Sequence, residues 1–137
     1  VKAIFDGKPI DVYNNGDMKR DFTYVDDVVE SLVRLVGKVP KPDENGAPYK
    51  LYNIGNNNPE DLMEMIAILE KETGLAARKN MLPMQPGDVY ETYADTDDLQ
   101  RDIGFKPSTK LADGLAKFVG WYKEYYGAGN NKKAASS

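Results

Sequence analysis

The chain has 137 residues, 41% hydrophobic and 29% charged, enough apolar material for one domain of ordinary globular composition. Its 22 acidic residues outnumber the 18 basic ones, and the net charge of −4 with no basic stripe argues against a nucleic-acid or membrane surface. Cysteine and histidine are both absent, which excludes a disulfide framework, a thiolate zinc site, a cysteine nucleophile and a Ser-His-Asp triad.

Val1 to Phe5 reads as the last turns of a helix stopped at Gly7. With no initiator methionine, the chain is expected to begin inside a longer protein. Pro9 to Tyr13 alternates apolar and polar residues as a half-buried strand does. Asn14-Asn15-Gly16-Asp17 is a turn, because Asn and Gly tolerate positive φ. Asp21 to Val25 is a second strand candidate, so the first 25 residues are expected to form a hairpin or a two-strand corner. Asp26 is placed to cap a helix whose Val29, Leu32, Val33 and Val36 share one face up to Gly37. Residues 38–48, rich in Pro, Lys, Asp and Gly, read as a solvent loop.

Lys50 to Gly55 is a third strand candidate. Asn58 then caps, Pro59 starts, and Glu60 and Asp61 favour the positive end of a helix. Leu62, Met65, Ile66 and Leu69 form its apolar stripe, and Gly74 stops it. Ala77 to Leu82 and Tyr90 to Ala94 are two further strand candidates. Asp95 is expected to cap a short helix closed by Gly104. Thr109 opens the last helix, with Leu111, Leu115, Phe118, Val119 and Tyr122 on one side. From Gly127 onward the residues cannot bury enough surface to order themselves, so 127–137 is expected to be a disordered tail behind one domain at 1–126. The fold class is α/β, with short strands and about four helices. Apolar runs are short, leaving no membrane span or signal-peptide core, and the lack of cysteine is compatible with the cytoplasm.

Two stretches carry recognition chemistry. In Met84 to Tyr90, Pro86 fixes its own φ and Gly87 can take the positive φ that a type II turn needs next. Gln85 and Asp88 flank that turn, suited to a polar ligand. In Met18 to Asp27, Arg20 at the mouth of a strand can form charge-assisted hydrogen bonds to phosphate. The alternative is an ion pair with Asp21 or Asp26. Tyr13 offers either a ring face to a base or ordinary packing. Asp95, Asp97 and Asp98 read as helix-terminus carboxylates rather than a divalent-metal site. Trp121, Tyr122, Tyr125 and Tyr126 have helical spacing and divide between core and surface. No glycine-rich dinucleotide loop, Walker loop or Tyr-x-x-x-Lys pair is present, so no catalytic residue is assigned.

Four stretches, "GKPIDVYNNGDMKRDFTYVDDVVESLVRLV", "YNIGNNNPEDLMEMIAILEKETG", "NMLPMQPGDVYETYADTDDLQRDIGFKP" and "TKLADGLAKFVGWYKEYY", together carry a resemblance. In order and without large gaps, they resemble the C-terminal part of extended short-chain dehydrogenase/reductases of the nucleotide-sugar epimerase/dehydratase family. The "MQPGDV" loop leans toward the glucuronate 4-epimerases, since galactose epimerases tend to carry arginine at the Gln85 position. The resemblance implies an extended Rossmann-type enzyme whose missing N-terminal half binds NAD and supplies the catalytic residues. It would invert C4 of a UDP-hexuronate, UDP-glucuronate to UDP-galacturonate, through a 4-keto intermediate. Carried over, Arg20 contacts the diphosphate, Tyr13 lines the uracil site with Val12 beside it, and Asp88 binds ribose hydroxyls. Gln85 stands where a second phosphate-binding arginine is common, and Thr92 where some relatives have a tyrosine. The partners implied are a UDP-sugar, the N-terminal Rossmann half and, for the whole protein, a second copy. Another epimerase, dehydratase or decarboxylase of the family, or a non-catalytic binding domain, is the alternative.

Overall fold

The computed structural model describes residues 1–42 and 44–129. Along them run α1 (Lys2–Phe5), β1 (Pro9–Val12), a 3-10 turn (Tyr13–Gly16), β2 (Lys19–Asp21), α2 (Val25–Val36), β3 (Pro59–Asp61), α3 (Leu62–Thr73), β4 (Arg78–Met81), α4 (Asp97–Ile103) and α5 (Leu111–Tyr126). Short strands mixed with helices match the expected α/β class, with five helices rather than about four among the described residues. The chain gathers into two compact units. One holds 1–19, 61–90 and the described residues from Lys110 onward; the other holds 20–60 and 91–109.

In the first unit, β1 and β4 form a parallel pair, Pro9 opposite Arg78 and Val12 opposite Met81. The expected hairpin of β1 with the next strand is therefore wrong, and β2 pairs with β3 instead. A parallel pair requires a long crossover, which here includes α3. Ile4, Leu69 and Val119 form the buried cluster, with Met65, Leu75 and Leu115 packed against it. All but Leu75, which follows the Gly74 stop, come from α1, α3 and α5, whose apolar positions recur at helical spacing.

The start of α3 differs from expectation. Pro59 lies in β3, since its fixed φ suits an edge strand as well as a helix start. Asp61, not Asn58, caps the helix: its carboxylate accepts from the Met63 amide at 2.7 Å. The Asn58 side chain donates to Glu60 instead. Gly74 ends α3 in the left-handed conformation at φ 73°, as expected.

Glu70 joins α3 to β4. Its Oε1 accepts from the Ala77 amide at 2.8 Å and from Lys79 Nζ at 2.6 Å. The Lys79 ammonium, then the Ala77 N–H, hold its carboxyl below the ordinary value of 4.5. A lowered folded value stabilises above the unfolded pKa, and that stabilisation is lost as pH falls through the folded one. Thermal unfolding followed down from about pH 4.5 is expected to show a declining midpoint, and Glu70→Gln to flatten that decline while lowering the midpoint at pH 7. Equal slopes in both proteins would remove Glu70 from the acid transition.

The last helix begins at Leu111, not at Thr109, whose amide donates instead to Asp27. Val119 is buried, whereas Phe118 is 41% exposed and lies off the core. Tyr122 stacks on Phe5 with ring centroids 5.6 Å apart, while Trp121, Tyr125 and Tyr126 are mostly exposed. This run thus divides between packing and surface, as its spacing predicts. Residues 127–129 form a turn. The rest of the expected disordered tail lies outside the described residues.

In the second unit, α2 packs on α4, and Leu99, Ile103 and Thr96 are buried. Asp27 ties α2 to the segment beyond α4 by accepting from the Ser108 and Thr109 amides at 3.1 and 2.9 Å. The α2 N-cap position is Tyr24, so Asp26 lies inside the first turn rather than capping it. Its charge still favours the positive helix end. The one-sided stripe of α2 faces outward: Val29, Leu32, Val33 and Val36 are between 51% and 87% exposed. Asp95 accepts from the Asp97 amide at 3.1 Å, one residue outside the formal N-cap Thr96, and Gly104 ends α4 at φ 63°.

Two expected strands are absent. Residues 50–55 form no strand, because a ladder needs a partner edge and none of the named strands pairs with them, and 90–94 contributes only a single bridge residue, Glu91, beside the Tyr90 carbonyl that accepts from the Lys19 amide of β2. The strand expected at 21–25 is shifted to β2, Lys19–Asp21.

Candidate functional site

Val12, Tyr13, Gln85 and Asp88 all belong to the first unit. Val12 ends β1, and the chain turns sharply after it. Asn14 and Asn15 take φ 49° and 51°, and Gly16 takes 84°. Asn visits this region more readily than other side chains, and Gly does so without a Cβ penalty. The turn is closed by the Asp17 amide on Asn14 O at 2.9 Å and by Asn14 Nδ2 on Asp17 O.

The 84–90 loop is fastened to this turn at both ends. The Leu82 amide donates to Val12 O at 2.9 Å, and the Asn15 amide donates to Leu82 O at 3.0 Å. At the other end, the Lys19 amide donates to Tyr90 O at 2.9 Å, and the Tyr90 hydroxyl donates to Asp17 Oδ1 at 3.1 Å. Between these staples Gly87 takes φ 85°, and the Asp88 amide donates to Gln85 O at 3.1 Å. That is the turn expected from Pro86-Gly87. Gln85 is exposed and Asp88 half-buried, its Oδ1 accepting from the Val89 amide at 2.9 Å.

The structure therefore brings the Tyr13 turn and the Gln85–Asp88 turn onto one hydrogen-bonded frame. Val12 is 1% exposed, so its side chain supports the turn from the core. Tyr13 is half-buried.

Arg20 belongs to the second unit, in β2, where it is partly buried. From sequence the residue after it, Asp21, is expected only as a candidate ion-pair partner of Arg20. Asp21 Oδ2 accepts from the Asn57 amide at 3.0 Å and from the Ala94 amide at 3.3 Å, while its own amide donates to Thr92 Oγ1 at 3.0 Å. Thr92 thus holds the backbone next to Arg20. Gly55 lies against this carboxylate: a Cβ there would be 2.5 Å from Ala94 Cβ and 2.9 Å from Asp21 Oδ2. The one available signal was the Gly55-Asn56-Asn57-Asn58 run, which marks a turn but does not name the acid that fastens it.

Among the described residues no group of acids is arranged to hold a metal ion. Asp95 accepts from a backbone amide and Asp98 pairs with Arg101. Among the described residues no helix is long and apolar enough to cross a membrane.

The sequence profile of the family described as GDP-mannose 4,6 dehydratase matches residues 1–118. The chain belongs to that family. Its relatives include protein CapI of Staphylococcus aureus, 55% identical across 92% of this chain, and a probable UDP-glucuronate 4-epimerase of Rhizobium meliloti, 45% identical across 92%. The match covers 41% and 40% of those two proteins, so the chain spans about two-fifths of their length. A crystal structure of UDP-glucuronic acid 4-epimerase from Bacillus cereus, in complex with UDP-glucuronic acid and NAD, superposes with a TM-score of 0.75 at 29% identity. It covers 91% of this chain and 38% of that one. The nucleotide-sugar enzyme family expected from the four stretches is thereby borne out.

Proposed function

We propose that this chain supplies the nucleotide-binding part of an NAD-dependent epimerase that inverts C4 of UDP-glucuronate to give UDP-galacturonate. The observation that carries the reading is the stapled frame that presents Tyr13 beside the Gln85–Asp88 turn. The likeness to UDP-glucuronate 4-epimerases supports it. In this reading Arg20 holds the diphosphate by charge-assisted hydrogen bonds. Tyr13 offers its ring to the uracil, with Val12 beneath the turn. Asp88, an acceptor when ionised, takes the ribose hydroxyls. Gln85 donates amide hydrogens where a second cation would otherwise contribute charge.

C4 inversion requires a hydride acceptor, and NAD supplies that chemistry when bound. The residues of this chain do not fit NAD: no glycine-rich loop and no Tyr-x-x-x-Lys pair is present. The residues described here accordingly bind and orient the nucleotide, and the chain alone is expected to be inactive. The exposed α2 stripe of Val29, Leu32, Val33 and Val36 supports a further packed half in the whole protein, a Rossmann half in this reading. A cytoplasmic setting belongs to the same reading and rests on the cysteine-free sequence.

Titration of UDP into the chain by calorimetry tests the binding roles. Arg20→Ala is expected to weaken binding about tenfold, the equivalent of one charge-assisted hydrogen bond. Unchanged affinity would remove Arg20 from the phosphate. In the whole protein, UDP-glucuronate should yield UDP-galacturonate. Release of CO2 or loss of water would assign the decarboxylase or dehydratase alternative instead.

A further inference from the structure

The second unit contains a cavity of about 550 Å³ that the UDP-sugar reading does not use. Lys38, Lys41, Lys50 and Arg101 line it, in a chain whose net charge is −4. Asp102 is the acid among the lining residues, and it is fully engaged. Lys50 Nζ is 2.5 Å from Asp102 Oδ2, the Tyr52 hydroxyl donates to the same oxygen at 2.6 Å, and Arg101 Nε is 3.7 Å from Oδ1. Lys50, then Tyr52, hold that carboxyl below its ordinary value of 3.8, so it stays ionised and committed to them. Arg101 also pairs with Asp98.

The pairing leaves a charge excess. Lys50 and Arg101 are matched by Asp102 and Asp98, whereas no ion pair among the described residues engages Lys38 or Lys41. Two ammonium groups at one cavity that no ion pair among the described residues engages suit a dianion. Tyr49 lines the same cavity with its side chain largely exposed and presents a flat face beside the cations. A ring attached to the anion can stack there. Lys50, Asp102 and Tyr52 in the lining are already tied to one another by hydrogen bonds, so ordering the site costs mainly the Lys38 and Lys41 side chains.

We propose that this cavity is a second anion site, binding a dianionic phosphate monoester whose attached ring lies on Tyr49. The site lies outside the residues assigned to the UDP-sugar and stands whether or not that assignment holds.

The test is an amide-resolved NMR titration of the chain with inorganic phosphate and with adenosine 5′-monophosphate, against sodium chloride at matched ionic strength. Saturable shifts at Lys38, Lys41, Tyr49 and Lys50 are expected for both phosphates and not for chloride. K38Q/K41Q should weaken binding about tenfold, and both lysines are exposed, so the variant should keep the dispersion of the parent spectrum. Tyr49→Leu should weaken the nucleotide and leave inorganic phosphate unchanged. R20A should leave both affinities intact. The proposal is overturned by an equal response to chloride, by affinity unchanged in K38Q/K41Q, or by no saturable shift at these residues in millimolar phosphate.

Discussion

Asp21→Ala is expected to destabilise the second unit by about 2–4 kcal/mol. The carboxylate accepts from the Asn57 and Ala94 amides at 3.0 and 3.3 Å, and the Asn58 amide approaches the other oxygen at 3.5 Å. Each charge-assisted bond contributes about 1.5–3 kcal/mol, and removing the acceptor leaves part-buried N–H groups unpaired. The lower end of that range applies here because Asp21 is half-exposed and two of the three contacts are long. Alanine cannot replace any of them. Asn retains one acceptor oxygen, so Asp21→Asn should lose about half as much. Urea unfolding measures the total, and hydrogen exchange at Asn57 and Ala94 locates it, since those two amides should exchange faster in the alanine variant. A loss below about 1 kcal/mol, with exchange unchanged, would show that water replaces the carboxylate at little cost.

The same cluster shows what the sequence conceals. Asp21, Gly55, Asn57, Thr92 and Ala94 converge from three separated stretches, and nothing local to any of them announces the others. Asp21 could be read as a strand residue or an ion-pair partner for Arg20, and neither description mentions a carboxylate collecting backbone amides. Asn57 reinforces the point. It takes φ 57°, and its Oδ1 is buried with no partner among the described residues, a conformation visible only once the segment is folded.

Features set by one or two residues were legible. The Pro86-Gly87 turn, the Asn14-Asn15-Gly16 turn and the stops at Gly74 and Gly104 follow from backbone preferences that need no distant partner. The α3 stripe was legible too, because its spacing fixes which residues share a face. Features requiring a partner were not. Residues 50–55 have strand composition, yet a strand exists only through its ladder, and none of the named strands pairs with them. For α2 the spacing announced a one-sided helix correctly, but periodicity does not say what covers the apolar side. That side is exposed here. The start of α3 moved by a few residues because Asn58 and Asp61 are both chemically able to cap, and only the chain path decides which carbonyl or carboxylate meets a free amide. Of the candidate site, the loop geometry was readable from local chemistry, while the roles of Tyr13, Arg20 and Asp88 came through family resemblance.

Gly16→Ala is expected to cost about 3 kcal/mol and to disturb the one turn that positions Tyr13. Two separable penalties produce this. At φ 84° any Cβ is strained by about 1–2 kcal/mol. A Cβ would also be 2.4 Å from Met63 Sδ and 2.7 Å from Met63 Cγ, an overlap that adds about 1–3 kcal/mol unless the methionine moves. Met63 is flexible, but its backbone is held at the capped start of α3, where its amide donates to Asp61. The two terms can be separated by a double-mutant cycle with Met63→Ala, which opens the space and leaves φ unchanged. In the Met63→Ala background, Gly16→Ala should cost only the backbone part, about 1–2 kcal/mol. The difference between the two backgrounds, read from urea midpoints, is the overlap. Equal costs in both would assign the whole effect to the backbone. The functional consequence then separates as well: relief of the overlap should restore the Tyr13 turn, so UDP affinity lost in the single variant should return in the double one if Tyr13 reads the base. Stability that recovers without UDP affinity would instead leave Tyr13 a packing residue.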